Sequence, residues 1–68
     1  MDTRPFAIVM VPPSEQGHGI ALVGLRSNGS LDVGRNFLLT YRPTREAQKS
    51  YAIVLAAMLR FKVLELSE

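Results

Sequence analysis

Gly19–Tyr41, GIALVGLRSNGSLDVGRNFLLTY, is the stretch on which the fold turns. Two runs rich in Ile, Val, Leu, Phe and Tyr flank Ser27-Asn28-Gly29, so the segment reads as a β-hairpin. Two registers compete. A two-residue Asn28-Gly29 turn sets Leu25 opposite Asp32 and Val23 opposite Gly34, mixing polar with apolar. A three-residue loop with a left-handed Gly29 instead pairs Leu25 with Leu31, Val23 with Val33 and Ala21 with Arg35. That register gathers Ala21, Val23, Leu25, Leu31, Val33, Phe37, Leu39 and Tyr41 on one face. A slip of one residue would turn them all over, so the hydrophobic pattern selects the second register. Arg35 interrupts this face and marks a bulge or an edge. The other face, with Ile20, Leu22, Asn36, Leu38 and Thr40, is also partly apolar and calls for a second cover.

Upstream, Phe6-Ala7-Ile8-Val9-Met10-Val11 is apolar on both faces, as a central strand is. Pro12-Pro13 ends it, since neither proline donates to a ladder, and a polar loop runs to Gly19. Downstream, Pro43-Thr44 opens a helix: Thr44 suits the N-cap, and Glu46 suits the positive end of the helix dipole. Ala47, Tyr51, Val54, Leu55 and Met58 recur at helical spacing and are read as its core stripe. Tyr51 to Leu59 is apolar all round, however, so a further contact is expected through Ala52, Ile53, Ala56, Ala57 and Leu59, where small residues admit a second subunit. Phe61 to Leu66 fits either a continued helix, since no Gly or Pro stops it, or a short fourth strand. Continuation to about Leu64 is the preferred reading. The expected fold is therefore α+β, a single domain over residues 1–68: a three-stranded antiparallel meander followed by one long C-terminal helix, assembled as a homo-oligomer, a homodimer first.

Size supports the oligomer. A chain of 68 residues hides only about 60% of its unfolded surface and usually needs a staple. It has no cysteine, and His18 is its one histidine, so neither disulfides nor an ordinary zinc site is available. With 47% hydrophobic residues, the staple left is a partner subunit. No run approaches the roughly 18 apolar residues of a membrane span, and Met1–Pro5 lacks the features of a signal peptide. A cytoplasmic protein is expected, with no metal and no small-molecule cofactor.

No catalytic residue is expected. A nucleophile–base pair would have to use His18 with Ser14, and the two share a short polar loop without a known spacing. Gly17-His18-Gly19 precedes a strand, whereas phosphate-cradling glycines precede a helix. The charge pattern says more. Arg26, Arg35, Arg42, Arg45, Lys49, Arg60 and Lys62 face only Asp32 and Glu46 between positions 26 and 62. Arg45 and Lys49 share a helix face, with Arg42 beside them and Arg60 further along. Arginine near a helix N-terminus suits phosphate. Arg26, Arg42, Arg45, Lys49 and Arg60 are thus the candidate nucleic-acid contacts, made to phosphates rather than bases.

From about Val9 to Leu66 the chain resembles the N-terminal half of the ribonuclease H-like fold. Val11-Pro12-Pro13-Ser14 stands where that family has an Asp-Gly-Ser stretch, and Gly17-His18-Gly19-Ile20-Ala21-Leu22-Val23 is similar to its entry to strand two. Thr44-Arg45-Glu46-Ala47-Gln48 and Ala52-Ile53-Val54-Leu55-Ala56-Ala57 resemble its first helix. The family's first metal-binding Asp falls on Pro12, and its helix Glu falls on Gln48 or, with a slip, near Glu46. Cleavage needs a carboxylate cluster to hold metal ions, so the resemblance implies a partial scaffold without the nuclease. The expected function is a non-enzymatic binding module that holds nucleic-acid phosphates; the alternative is a protein-interaction or assembly module with no nucleic-acid role.

Overall fold

Phe6–Met10 forms β1, the central strand that its two-sided apolar run predicts. A computed structural model describes residues 5–66. β1 lies antiparallel to β2 (His18–Leu25), which pairs antiparallel with β3 (Leu31–Arg42). The helix α1 (Arg45–Leu59) then leads to β4 (Lys62–Glu65), which runs parallel to β1 on its other side. Among the described residues the result is a four-stranded mixed sheet in the order β3-β2-β1-β4, with one helix. The α+β class holds, while the expected three-stranded antiparallel meander is corrected by β4.

The tail becomes a strand because the helix stops without glycine or proline. Arg60 takes the left-handed conformation (φ 61°, ψ 39°), and the backbone N–H groups of Arg60 and Phe61 both donate to the Ala56 carbonyl. A non-glycine residue there costs about 1–2 kcal/mol. Offsetting it, Val63 and Leu64 pair with Ile8 and Val9, and the Phe61 ring lies 5.8 Å from that of Phe6.

Thr44 caps α1 as expected, its side chain accepting from the Ala47 N–H. The inward face is only in part the expected stripe. Leu55 packs against the core and Ala47 is half-buried, but Ala52 and Ala56 are the helix residues buried with Ile8, Met10 and Ile20, Gln48 is buried as well, and Tyr51, Val54 and Met58 stand exposed. The sheet supplies long side chains here, so the helix presents its small ones and comes in close. Ala52 and Ala56, expected in a subunit interface, are thus spent on the chain's own sheet, while Ile53, Ala57 and Leu59 remain exposed.

The hairpin keeps the Leu25–Leu31 pair and a left-handed Gly29 (φ 88°). Beyond it the expected register fails. Gly24 pairs with Asp32, but Val23 pairs with Asn36, so Val33, Gly34 and Arg35 bulge out of β3. Asp32 organises the bulge: its carboxylate accepts from the Gly34 N–H and from Arg35 Nε, and Arg35 also donates to the Leu25 carbonyl. The guanidinium then lies over Gly24, where a Cβ would come within 2.6 Å of it, and over the Phe6 ring. A second irregularity skips Leu39. Between the two, Phe37 pairs with Leu22 and Leu38 with Ala21, the reverse of the faces expected for them; past Leu39, Tyr41 regains its expected side.

Candidate functional site

The register sorts the sheet into two faces. Ile8, Met10, Ile20 and Val63 point toward α1. Ala7, Val9, Ala21, Val23 and Leu25 form a separate cluster on the opposite face, with Val11, Leu31 and Leu64 against it. No helix covers that second face among the described residues; the one helix lies on the other side. Its pairing partners extend it to Asn36, Leu38, Tyr41 and Lys62. Lys62, on the edge strand β4, is the one charged residue among the described residues of this face.

The open face is concave. A groove of about 200 Å³ is lined by the exposed Val33 and Leu66 and by Val9, Ala21 and Val23, which are themselves buried. Val33 is 72% exposed because the Asp32–Arg35 bulge pushes it out of the ladder. A second apolar surface lies on the helix side, where Phe37, Tyr51, Val54 and Met58 are exposed between α1 and β3. Exposed apolar side chains on this scale exceed the single scattered residues normal for a monomer.

At the far end of β1 lies a cleft of about 320 Å³ lined by Val11, Pro12, His18, Arg45, Gln48 and Glu65, among others. Gln48 is its fixed point. Only 5% exposed, it donates from Nε2 to the Val11 carbonyl at 3.0 Å and to the Gly19 carbonyl at 2.8 Å, tying α1 to β1 and to the start of β2. Glu65 in turn forms an ion pair with Arg45. Among the described residues no three His, Asp or Glu side chains come together as a metal site. No family model, curated protein or solved structure matches the chain. The polar groups of the cleft are the Glu65 carboxylate paired with Arg45, the Gln48 amide whose donors are both in use, and the His18 imidazole.

The five candidate phosphate contacts fall into two groups. Arg42, Arg45 and Lys49 are near in sequence where β3 enters α1, but Arg42 turns to Tyr51 and Arg45 to Glu65 of β4, on the opposite edge of the sheet. Arg60 sits at the other end of the helix, about 22 Å away at 1.5 Å per residue. Arg26, just past the end of β2, is likewise at the hairpin end of the sheet, 3.8 Å from Asp32. Several of these charges are engaged: Arg45 by Glu65, Arg26 by Asp32, and Arg42 by the Tyr51 ring 5.3 Å from its guanidinium. Asp32 itself is held below the usual carboxylate range, mainly by its hydrogen bond from Arg35. No helix of the described residues is long and apolar enough to cross a membrane.

Sequence reading missed Gln48 as a strap and Val33 as a rim residue. Gln48 carried one signal, a polar residue four positions before Ala52 and eight before Ala56, on the face the helix buries. Val33 carried none, because its exposure follows from the bulge.

Proposed function

We propose that this chain is a non-enzymatic assembly module that acts by having its open sheet face covered by another polypeptide. The observation that supports it is the near absence of charge among the described residues of that face: Lys62 alone stands beside Val9, Val11, Ala21, Val23, Leu38 and Leu64. The five central residues of that face are buried within the chain itself, so what a partner would cover is its exposed rim of Val33, Leu38, Tyr41 and Leu66. The test is binding of the dye ANS together with sedimentation. The chain should associate or bind dye, and Leu38→Lys should reduce whichever is seen without altering its circular dichroism. A dye-silent monomer would refute the reading.

Phosphate contact with nucleic acid is the second reading, favoured by the position of Arg42, Arg45 and Lys49 at the N-terminal end of α1. It predicts retention on a polynucleotide column that falls steeply with salt and is lost in Arg42→Glu/Arg45→Glu. The pairing of Arg45 with Glu65 and the distance to Arg26 and Arg60 weigh toward the first reading. Kinship with the ribonuclease H-like fold is retained as a scaffold without nuclease chemistry. Supporting it, Pro12 and Gln48, the positions matching that family's carboxylates, line one cleft.

A further inference from the structure

Resting on the assembly reading, we infer that the occupant of the open face is a second copy of this chain, packed sheet to sheet about a two-fold axis with both helices outside. The argument starts from where knob and hole lie. The groove floored by Val9, Ala21 and Val23 and its projecting rim residue Val33 belong to the same face of the same sheet. A patch that carries both can complement itself, which is the requirement of a closed two-fold contact. The competing self-contact would seat the exposed helix ridge of one copy, Val54 and Met58, on the open face of the next. Those surfaces lie on opposite sides of the sheet. That contact would repeat without closing and build a fibre.

Area and charge fit the closed form. Val33, Leu38, Tyr41 and Leu66 are 72%, 52%, 39% and 44% exposed, and the partly buried Val11, Leu31 and Leu64 stand beside them. Covering them removes on the order of 500 Å² per copy, so about 1,000 Å² in all, the lower bound for a specific interface. Like charges would oppose a two-fold contact, since each group meets its own image near the axis. Here the one charge among the described residues of the face, Lys62, stands on an edge strand, from which its long stem can reach solvent past the contact. Stacked sheets of this kind lie about 10 Å apart, and the small floor residues leave room for the partner's Val33.

The experiment is light scattering after size exclusion over a wide range of loading concentration, on the full chain and three variants. The full chain should dimerise. Val33→Asp and, independently, Leu38→Lys should each raise the dissociation constant at least about tenfold with unchanged circular dichroism. Met58→Asp on the helix ridge should leave it unchanged. Leu38→Lys guards against Val33→Asp disturbing the bulge. A dimer split by Met58→Asp but not by the two sheet variants would overturn the sheet-to-sheet contact and, with it, the reading that the open face is what a partner covers. A monomer that binds ANS through the open face would overturn self-docking alone. A monomer that binds no dye would overturn the assembly reading with it.

Discussion

Replacing Gln48 by Glu changes one atom of the buried strap and reverses its role. In the parent both Nε2 hydrogens are used, one on the Val11 carbonyl and one on the Gly19 carbonyl. Each bond contributes about 1 kcal/mol net. A carboxylate at the same place has no hydrogen to give and turns an oxygen toward two carbonyl oxygens. It loses both bonds and adds the cost of a desolvated charge, so Gln48→Glu should destabilise the fold by about 3 kcal/mol at neutral pH. For a chain of this size the whole stability is on the order of 3–10 kcal/mol, so the effect is large. At roughly 4–8 °C per kcal/mol it amounts to a fall in melting temperature of about 12–24 °C.

The pH dependence separates this account from mere loss of packing. Burial and the facing carbonyls raise the folded-state pKa of the introduced carboxyl above its unfolded value of about 4.3. A protonated carboxyl can still donate one of the two bonds. The deficit is therefore smallest below the unfolded pKa, grows as pH rises from there through the folded pKa, and is constant above it. Thermal melts of parent and variant at about pH 4 and pH 7 measure this, with Gln48→Leu as the comparison whose deficit does not titrate. A Gln48→Glu deficit equal at both pH values, or no deficit at all, would refute the strap.

Three further outcomes are expected. Gly17 sits at φ 119°, and a Cβ there would lie 2.7 Å from the Arg42 carbonyl oxygen, so Gly17→Ala should cost about 1–3 kcal/mol in denaturant unfolding. Asp32 has its pKa lowered in the fold, mainly by the Arg35 hydrogen bond, so its contribution is present above its unfolded value of 3.8 and is lost as pH falls through the folded one. A carboxyl NMR titration should find it low, and Gly24→Ala, which displaces the guanidinium, should move it back toward 3.8. Ala52 is fully buried while Met58 is 75% exposed, so Ala52→Leu should cost about 1–3 kcal/mol by overpacking and Met58→Ala at most about 0.5 in the same unfolding assay.

What the sequence made legible was local. Asn28-Gly29 declared the turn, the hydrophobic pattern selected the Leu25–Leu31 pair, and Thr44 declared the start of the helix. The errors arose where a local pattern had more than one solution. From Tyr51 to Leu59 the helix is apolar all round, so its own periodicity cannot say which side is inward; the size of the residues on the facing sheet decides it. The end of α1 was hidden because Arg60 adopts a backbone conformation usually left to glycine, a choice stabilised by long-range contacts, the pairing of Val63 and Leu64 with β1 and the packing of Phe61 on Phe6.

The candidate surface shows the same division. That the chain carries more apolar residues than one helix can cover was evident from composition and from the two apolar faces of the hairpin. Which residues lie uncovered was not, since an alternation of period two assigns Leu38 to the helix side and Phe37 to the other. The three residues that Asp32 and Arg35 loop out reverse this, placing Leu38 beside Ala21 and raising Val33 to the rim. The one cation that broke the hydrophobic pattern, Arg35, is thus the residue that holds the bulge, and the bulge is what carries that guanidinium off the open face. Removing the clamp by Arg35→Ala should accordingly weaken association in light scattering as well as stability in unfolding, because the shape of the surface depends on it.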